Sequence, residues 1–280
     1  MSIPKRLSVP KTVPYSISRR LTEMKKIDIN CDLGESFGAY SIGKDAEVIP
    51  LISSANIACG WHGGDAVVMS ETVAEAAAAN VAVGAHPGYP DLVGFGRRNL
   101  KVTPKELKAY IQYQVGALTA FCRANRIPLC HVKPHGAMYN MAAVDINLAR
   151  AVCEGVASVS EELILLALSG SEMCRAAEQM GIRCAREVFA DRAYEDDGTL
   201  VARSKPGAVI TDKEAAVQRI VRLVRTGKVE SISGKEIEVG ADSICVHGDN
   251  LQALEFVREI RKALTEAGIE IAPLAETAGV

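Results

Sequence analysis

The chain has 280 residues, long for one ordinary domain but within the span of a single α/β barrel. Hydrophobic residues at 48% and charged residues at 24% exclude wholesale disorder. With 32 Lys/Arg against 34 Asp/Glu, the net charge of −2 gives no general pull toward nucleic acid or an anionic membrane.

That charge is unevenly spread. Residues 1–26 carry seven Lys/Arg against one Glu, whereas the remainder carries 25 against 33. Residues 1–25 lack the apolar core of a secretory signal. They read as a basic, poorly ordered extension, or as the product of a start codon assigned too early, and lie outside the expected domain. No apolar run approaches the roughly 20 residues that cross a bilayer. The eight cysteines include no Cys-x-x-Cys pair and sit mostly in apolar runs, which points to free buried thiols and a cytoplasmic protein.

From Lys26 the chain alternates short apolar runs with segments of helical spacing. Strands are expected at 26–30, 54–58, 81–85, 129–133, 163–168, 184–189 and 243–246, with a weaker candidate at 208–210. The unbroken apolar run at 163–168 indicates a strand buried on both faces, hence a parallel sheet under helices. A helix is expected over 65–79, headed by Asp65. Thr103-Pro104-Lys105-Glu106 is a capping box with proline in the first turn, ahead of Leu107, Ile111, Val115, Leu118 and Phe121 on one face. Thr211-Asp212-Lys213-Glu214 repeats that pattern, 229–239 reads as a hairpin, and Asp249 or Asn250 caps a final helix closed by Gly268. This alternation predicts one α/β domain over 26–270, an irregular (β/α) barrel of about seven parallel strands, with 271–280 as a tail.

In such a barrel, the segments after the strands converge on one face, where enzymes of this fold keep their sites. Those segments are rich in reactive groups: Asn30, Asp32 and Glu35 after the first strand; Asn56, His62 and Asp65 around the second; His86 after the third. Lys133 and His135 follow the fourth, Asp191 and Arg192 the sixth, and His247 and Asp249 the last. Four of the five histidines lie there, each beside glycine or proline. Asp32 and Glu35 are candidates for an acid–base pair. Asp65 is a candidate either for helix capping or for catalysis. Lys133, ending an apolar strand, calls for a carboxylate or an anionic ligand. Arg97 or Arg98 can hold a carboxylate through two hydrogen bonds. Asp191 and Arg192 can pair with each other.

His131 and His135 are too far apart along an extended strand to share an ion, so His131 is expected to pack inside the barrel. Asp32, His62 and His135 can form an Asp/His/His metal site, which the spacing does not establish. The Walker-like Gly38–Asp45 run carries Asp where a magnesium-binding Ser/Thr belongs and starts away from a strand end. It is not read as an ATP site.

Seven stretches together resemble the LamB/YcsF family: 27–35, 53–60, 84–91, 94–98, 131–137, 189–194 and 245–249. The match spans roughly 26–270 and departs from the family at Trp61, Gly63 and Ala66, where the family usually has Phe, Ala and Pro, while His62 and Asp65 are kept. The resemblance implies a seven-stranded barrel of the glycoside hydrolase/deacetylase type. It also implies opening of the 5-oxo-L-proline lactam to L-glutamate, driven by ATP with Mg²⁺ and requiring partner subunits B and C. In that light Asp32 or Glu35 is expected as general base, and His62 and His135 as stabilisers of an oxyanion or phosphate. Lys133 would balance phosphate charge, with Asp65 and His86 completing the catalytic set. Arg97 or Arg192 would hold the substrate carboxylate, and Asn30, Asn56, Asp191, His247 and Asp249 would complete the binding set. The competing expectation is a stand-alone, metal-dependent deacetylase-like hydrolase of an amide or carbohydrate.

Overall fold

The computed structural model describes residues 25–202, 204–247 and 251–278. In chain order the elements are β1 (Lys26–Leu33), α1 (Asp45–Val48), β2 (Ser54–Ala58), α2 (Ala66–Ala78), β3 (Ala82–His86), α3 (Pro104–Ala124) and β4 (Leu129–Val132). Then come α4 (Gly136–Val144), α5 (Ile146–Val159), β5 (Ile164–Leu168), α6 (Glu172–Met180), β6 (Cys184–Phe189) and α7 (Lys213–Thr226). The chain closes with β7 (Lys228–Glu230), β8 (Glu236–Glu238), β9 (Ser243–Val246), α8 (Leu251–Glu266), β10 (Glu270–Ile271) and α9 (Leu274–Thr277). β1 to β6 and β9 form one ring of parallel strands, closed by the β6–β9 and β9–β1 pairings. The expected seven-stranded barrel is therefore the observed one.

Local sequence explains the elements. The Thr103 hydroxyl accepts from Glu106 N while the Glu106 carboxylate accepts from Thr103 N, so the capping box is complete. Ahead of α7 the pattern is shifted by one residue. Asp212, rather than Thr211, is the cap, and its carboxylate accepts from Ala215 N. Residues 228–230 and 236–238 form the expected hairpin outside the ring. The weak strand candidate at 208–210 is not one, since Val209 makes only an isolated bridge to Arg192.

The barrel has an unusual inside. Along β1, Ile27, Ile29, Cys31 and Leu33 are buried beneath the helices, while Asp28, Asn30 and Asp32 alternate to the interior. The Asp28 carboxylate accepts from the Ser53, Ser54 and Ser243 hydroxyls. One level up, Asn30 donates to Ser243 and accepts from Asn56, which also donates to Asp32 Oδ1 at 2.8 Å. His131 fills the next gap, as expected. Its ring lies against Gly84, where an added Cβ would come 2.1 Å from Nε2, so only glycine fits. The column thus ascends from serines and a carboxylate to the acidic pair at the top.

The C-terminal segment corrects an expectation. Residues 271–278 are no tail. β10 pairs with the start of β1, and Leu274 and Ala278 pack on Ile164, Leu166 and Ala185 to plug the lower end of the barrel. The expected cap of the last helix, and the extension over residues 1–24, lie outside the described residues. No helix among those described is long and apolar enough to cross a membrane, and all eight cysteines are free thiols.

Candidate active site

A cavity of ≈ 530 Å³ opens at the C-terminal mouth of the ring. It is lined by Asp32, Glu35, His86, Lys133 and His135, with Arg97, Arg192 and His247 around it. Strand ends deliver this set. Asp32 is on β1 itself, which runs three residues further than the sequence suggests, and His86 is the last residue of β3. Lys133 and His135 continue the β4 ladder, their amides donating to Ala85 O and Pro87 O.

Lys133 is the electrostatic centre. It is 3% exposed, and its Nζ lies 2.9 Å from Asp32 Oδ1 and 2.7 Å from Glu187 Oε1. Burial on its own would strip its proton, but Asp32, Cys245 and Glu187 outweigh that and hold it charged, well above the ordinary lysine range. Glu187 also accepts from the Tyr139 hydroxyl at 2.6 Å. Sequence reading missed Glu187 and Tyr139. The available signal was an acidic residue at an inward position of β6, next to the outward Arg186, facing a lysine that needed a partner.

The two carboxylates at the mouth behave differently. Burial pushes Asp32 up, yet His86 and Lys133 more than offset it and hold the carboxyl well below its usual value. Glu35 is raised, first by burial and then by the charge of Asp32. Neighbouring carboxyls pushed apart in this way are suited to separate tasks, one permanently anionic and one exchanging a proton.

The histidines form a compact group. His86 Nδ1 meets Lys133 O at 2.7 Å, and His86 Nε2 lies 3.0 Å from His135 Nδ1 and 3.3 Å from Asp32 Oδ2. His135 Nε2 meets Phe95 O at 2.8 Å. The His62 and His135 rings stack at 3.6 Å and 2°, and His62 Nε2 lies 3.2 Å from Glu35 Oε1. Burial, reinforced by the other imidazoles, lowers His135 to about 2 and keeps it neutral. The left-handed Gly96 closes the group from above, since a Cβ there would come 2.7 Å from His62 Cβ and 2.8 Å from His135 Cδ2.

Two expectations change. The expected Asp32/His62/His135 trio keeps its two histidines but not Asp32 in the group of donors that gathers most closely. The set that gathers is Glu35, His62, His86 and His135, with one donor atom from each within 4.8 Å of the others. Asp65 lies outside the cavity, where it caps α2 by accepting from Val67 N and Val68 N. Arg98 is taken up by Asp91, whereas the exposed Arg97 faces the cavity with its guanidinium 5.1 Å above Phe95. Asn30 and Asn56 sit below the floor. Asp191 pairs with His247 at 3.5 Å, and Arg192 Nη2 donates to Val201 O. Asp249 lies outside the described residues. The Gly38–Asp45 run bends back on β1, with Asp45 accepting from Gly34 N.

A closed parallel barrel carrying an acid–base group, a buried lysine and clustered imidazoles at its C-terminal mouth defines an α/β-barrel protein with an enzyme-type site. The chain belongs to the LamB/YcsF family, whose profile matches residues 27–279. It is 62% identical over 251 residues to the A component of 5-oxoprolinase from Clostridium beijerinckii, covering 90% of this chain and 98% of that one. It is 55% identical over 254 residues to the A component of 5-oxoprolinase from Pyrococcus abyssi, covering 91% of this chain and 100% of that one. The crystal structure of a lactam utilization protein from Thermus thermophilus superposes with a TM-score of 0.84 at 48% identity, covering 88% of this chain and 99% of that one.

Proposed function

We propose that this chain opens the ring amide of 5-oxo-L-proline to L-glutamate, as the A component of an ATP-dependent enzyme completed by subunits B and C. The observation that carries this reading is the Asp32–Lys133–Glu35 arrangement at the cavity floor, in a chain so similar to proteins of that name. A five-membered lactam resists hydrolysis. Transfer of a phosphoryl group from ATP to its oxygen makes the ring carbon open to water. Among the described residues the one Walker-like run folds back on β1, which supports assigning the nucleotide work to the partner subunits.

Glu35 takes the proton as water adds to the ring carbon, and returns it to the ring nitrogen as the C–N bond breaks. The acyl phosphate left behind consumes a second water, giving glutamate and phosphate. Asp32 remains an anion and, with Glu187, keeps Lys133 charged to balance the phosphate. Arg97, exposed at the cavity wall, or Arg192 holds the substrate carboxylate. The expected oxyanion role of His62 and His135 is not kept, since His62 is buried against Glu35 and His135 Nε2 is taken by Phe95 O.

The reading is tested by glutamate release from 5-oxoproline and ATP in three mixtures: the full three-component set, B with C, and this chain alone. Turnover is expected only in the first. Equal turnover without this chain would refute the assignment, and ATP-independent turnover by this chain alone would favour the stand-alone hydrolase.

A further inference from the structure

The hydrogen bonds around the imidazoles fix where their protons lie. A backbone carbonyl only accepts, so His86 Nδ1 donates to Lys133 O and His135 Nε2 donates to Phe95 O. When both rings are neutral, the remaining nitrogens are bare lone pairs, yet they face each other at 3.0 Å. Around them stand Asp32 Oδ2, 3.3 Å from His86 Nε2, and Glu35 Oε1, 3.5 Å from His135 Nδ1. Two lone pairs thus face each other, each with a carboxylate oxygen beside it. Such a group needs a positive charge at its centre.

The edge lengths identify its kind. Two ligand atoms each about 2.1 Å from one ion, at tetrahedral to octahedral angles, lie roughly 3.0–3.4 Å apart. The observed edges of 3.0 and 3.3 Å fit that spacing, and the 3.5 Å edge lies just beyond it. Imidazole nitrogens beside carboxylates suit a borderline divalent transition ion of the zinc type rather than calcium or magnesium.

We propose that His86 Nε2, His135 Nδ1 and Glu35 Oε1, with Asp32 Oδ2 beside them, bind one divalent transition-metal ion at the cavity floor. His62 is a positioning residue in this site. Its Nε2–H donates to Glu35 Oε1, and its ring lies flat on His135, so it orients two ligands and occupies no coordination position. The carbonyls of Lys133 and Phe95 set the tautomers of the two ligating rings. The inference rests on the lactam reading only for what an ion does there, which is to polarise the ring carbonyl or acidify a water. Where the ion binds follows from the hydrogen bonds alone.

The full chain, stripped with chelator and dialysed, is titrated with Zn²⁺ by calorimetry and with Co²⁺ by visible absorption, and bound metal is counted by mass spectrometry. One equivalent is expected, with a Co²⁺ d–d spectrum. His86→Gln and His135→Gln should each weaken binding by more than about 100-fold, and His62→Gln by about 10-fold, in line with the loss of an orienting contact. Circular dichroism and metal-free melting curves show that each variant is folded, and Glu35→Gln provides a nearly isosteric check. Absence of binding, or binding that survives the His86→Gln/His135→Gln pair, overturns the site, the central charge then being a shared proton. Full lactam turnover by the metal-free chain with its partners would overturn the ion's part in the reaction. Stoichiometric metal in a chain that supports no turnover refutes the lactam reading and leaves the site standing.

Discussion

Replacing Lys133 by Met isolates the charge at the centre of the barrel. Methionine has nearly the same length and flexibility, so little cavity is created and the perturbation is electrostatic. Two carboxylates lose their shared counter-ion: Glu187, whose side chain is 0% exposed, and Asp32, at 25%. Removing one member of a buried ion pair costs about 3–5 kcal/mol, because the other charge stays stranded. Asp32 can recover some hydration, so most of that falls on Glu187. For a chain of this size each kcal/mol moves Tm by about 2–4 °C, and the expected fall is about 6–20 °C. Calorimetry and urea unfolding measure it. The double variant Lys133→Met/Glu187→Gln removes the stranded charge while retaining an acceptor for the Tyr139 hydroxyl. It should recover at least half of the loss, as expected when both partners of a buried pair go together. A single variant within about 1 kcal/mol of the parent, a typical surface-substitution effect, would refute the reasoning. So would a double variant less stable than the single one.

Glu35→Gln keeps the shape of the carboxyl but cannot shuttle a proton. Turnover in the reconstituted complex should fall by about 10²–10⁴-fold with Tm nearly unchanged, and a loss below about tenfold would remove Glu35 from the proton-transfer role. Asp65→Ala should lower Tm through loss of the α2 cap, with turnover retained; a large loss of turnover at intact stability would return Asp65 to the catalytic set. Asp28 is raised to about 6, chiefly by burial and against the pull of three serine hydroxyls. A carboxyl raised on folding contributes stability that is full below its unfolded value and fades as pH climbs through its folded one. The stability of the parent relative to Asp28→Asn should therefore drop by about 2 kcal/mol between pH 4 and pH 7. Parallel urea-derived curves for the two proteins would contradict this.

The ring of strands was legible because each parallel strand is a compact apolar run closed by a turn signal, and such runs repeat seven times. The mouth was legible because histidines beside Gly and Pro recur at strand ends. The interior was not, although β1 advertised it: Ile27-Asp28-Ile29-Asn30-Cys31-Asp32-Leu33 alternates strictly. That period places Asp32 inside the ring rather than in the loop after it. Glu187 escaped because, beside Arg186 in a short strand, it looks like a solvent-facing residue until a cross-barrel partner is known. Asp65 could not be assigned from sequence, since the same carboxylate at a helix start serves capping and catalysis equally well. That Glu35 rather than Asp32 gathers with the three histidines depends on side-chain direction, which spacing along the chain does not encode. Similarly, the last residues looked expendable because two strand residues and one helical turn carry almost no periodic signal. Their packing against Ile164 and Leu166 is a tertiary fact.

That lower plug has a practical consequence. Lys26 pairs in register with Glu270, so both described ends of the chain leave the barrel on the side away from the cavity. Anything joined there, whether an affinity handle, a fluorescent protein or a sensor-chip linkage, projects from the far pole. A tether at either described end leaves the open mouth turned to solution, an orientation in which the arrival of other subunits can be followed as it occurs.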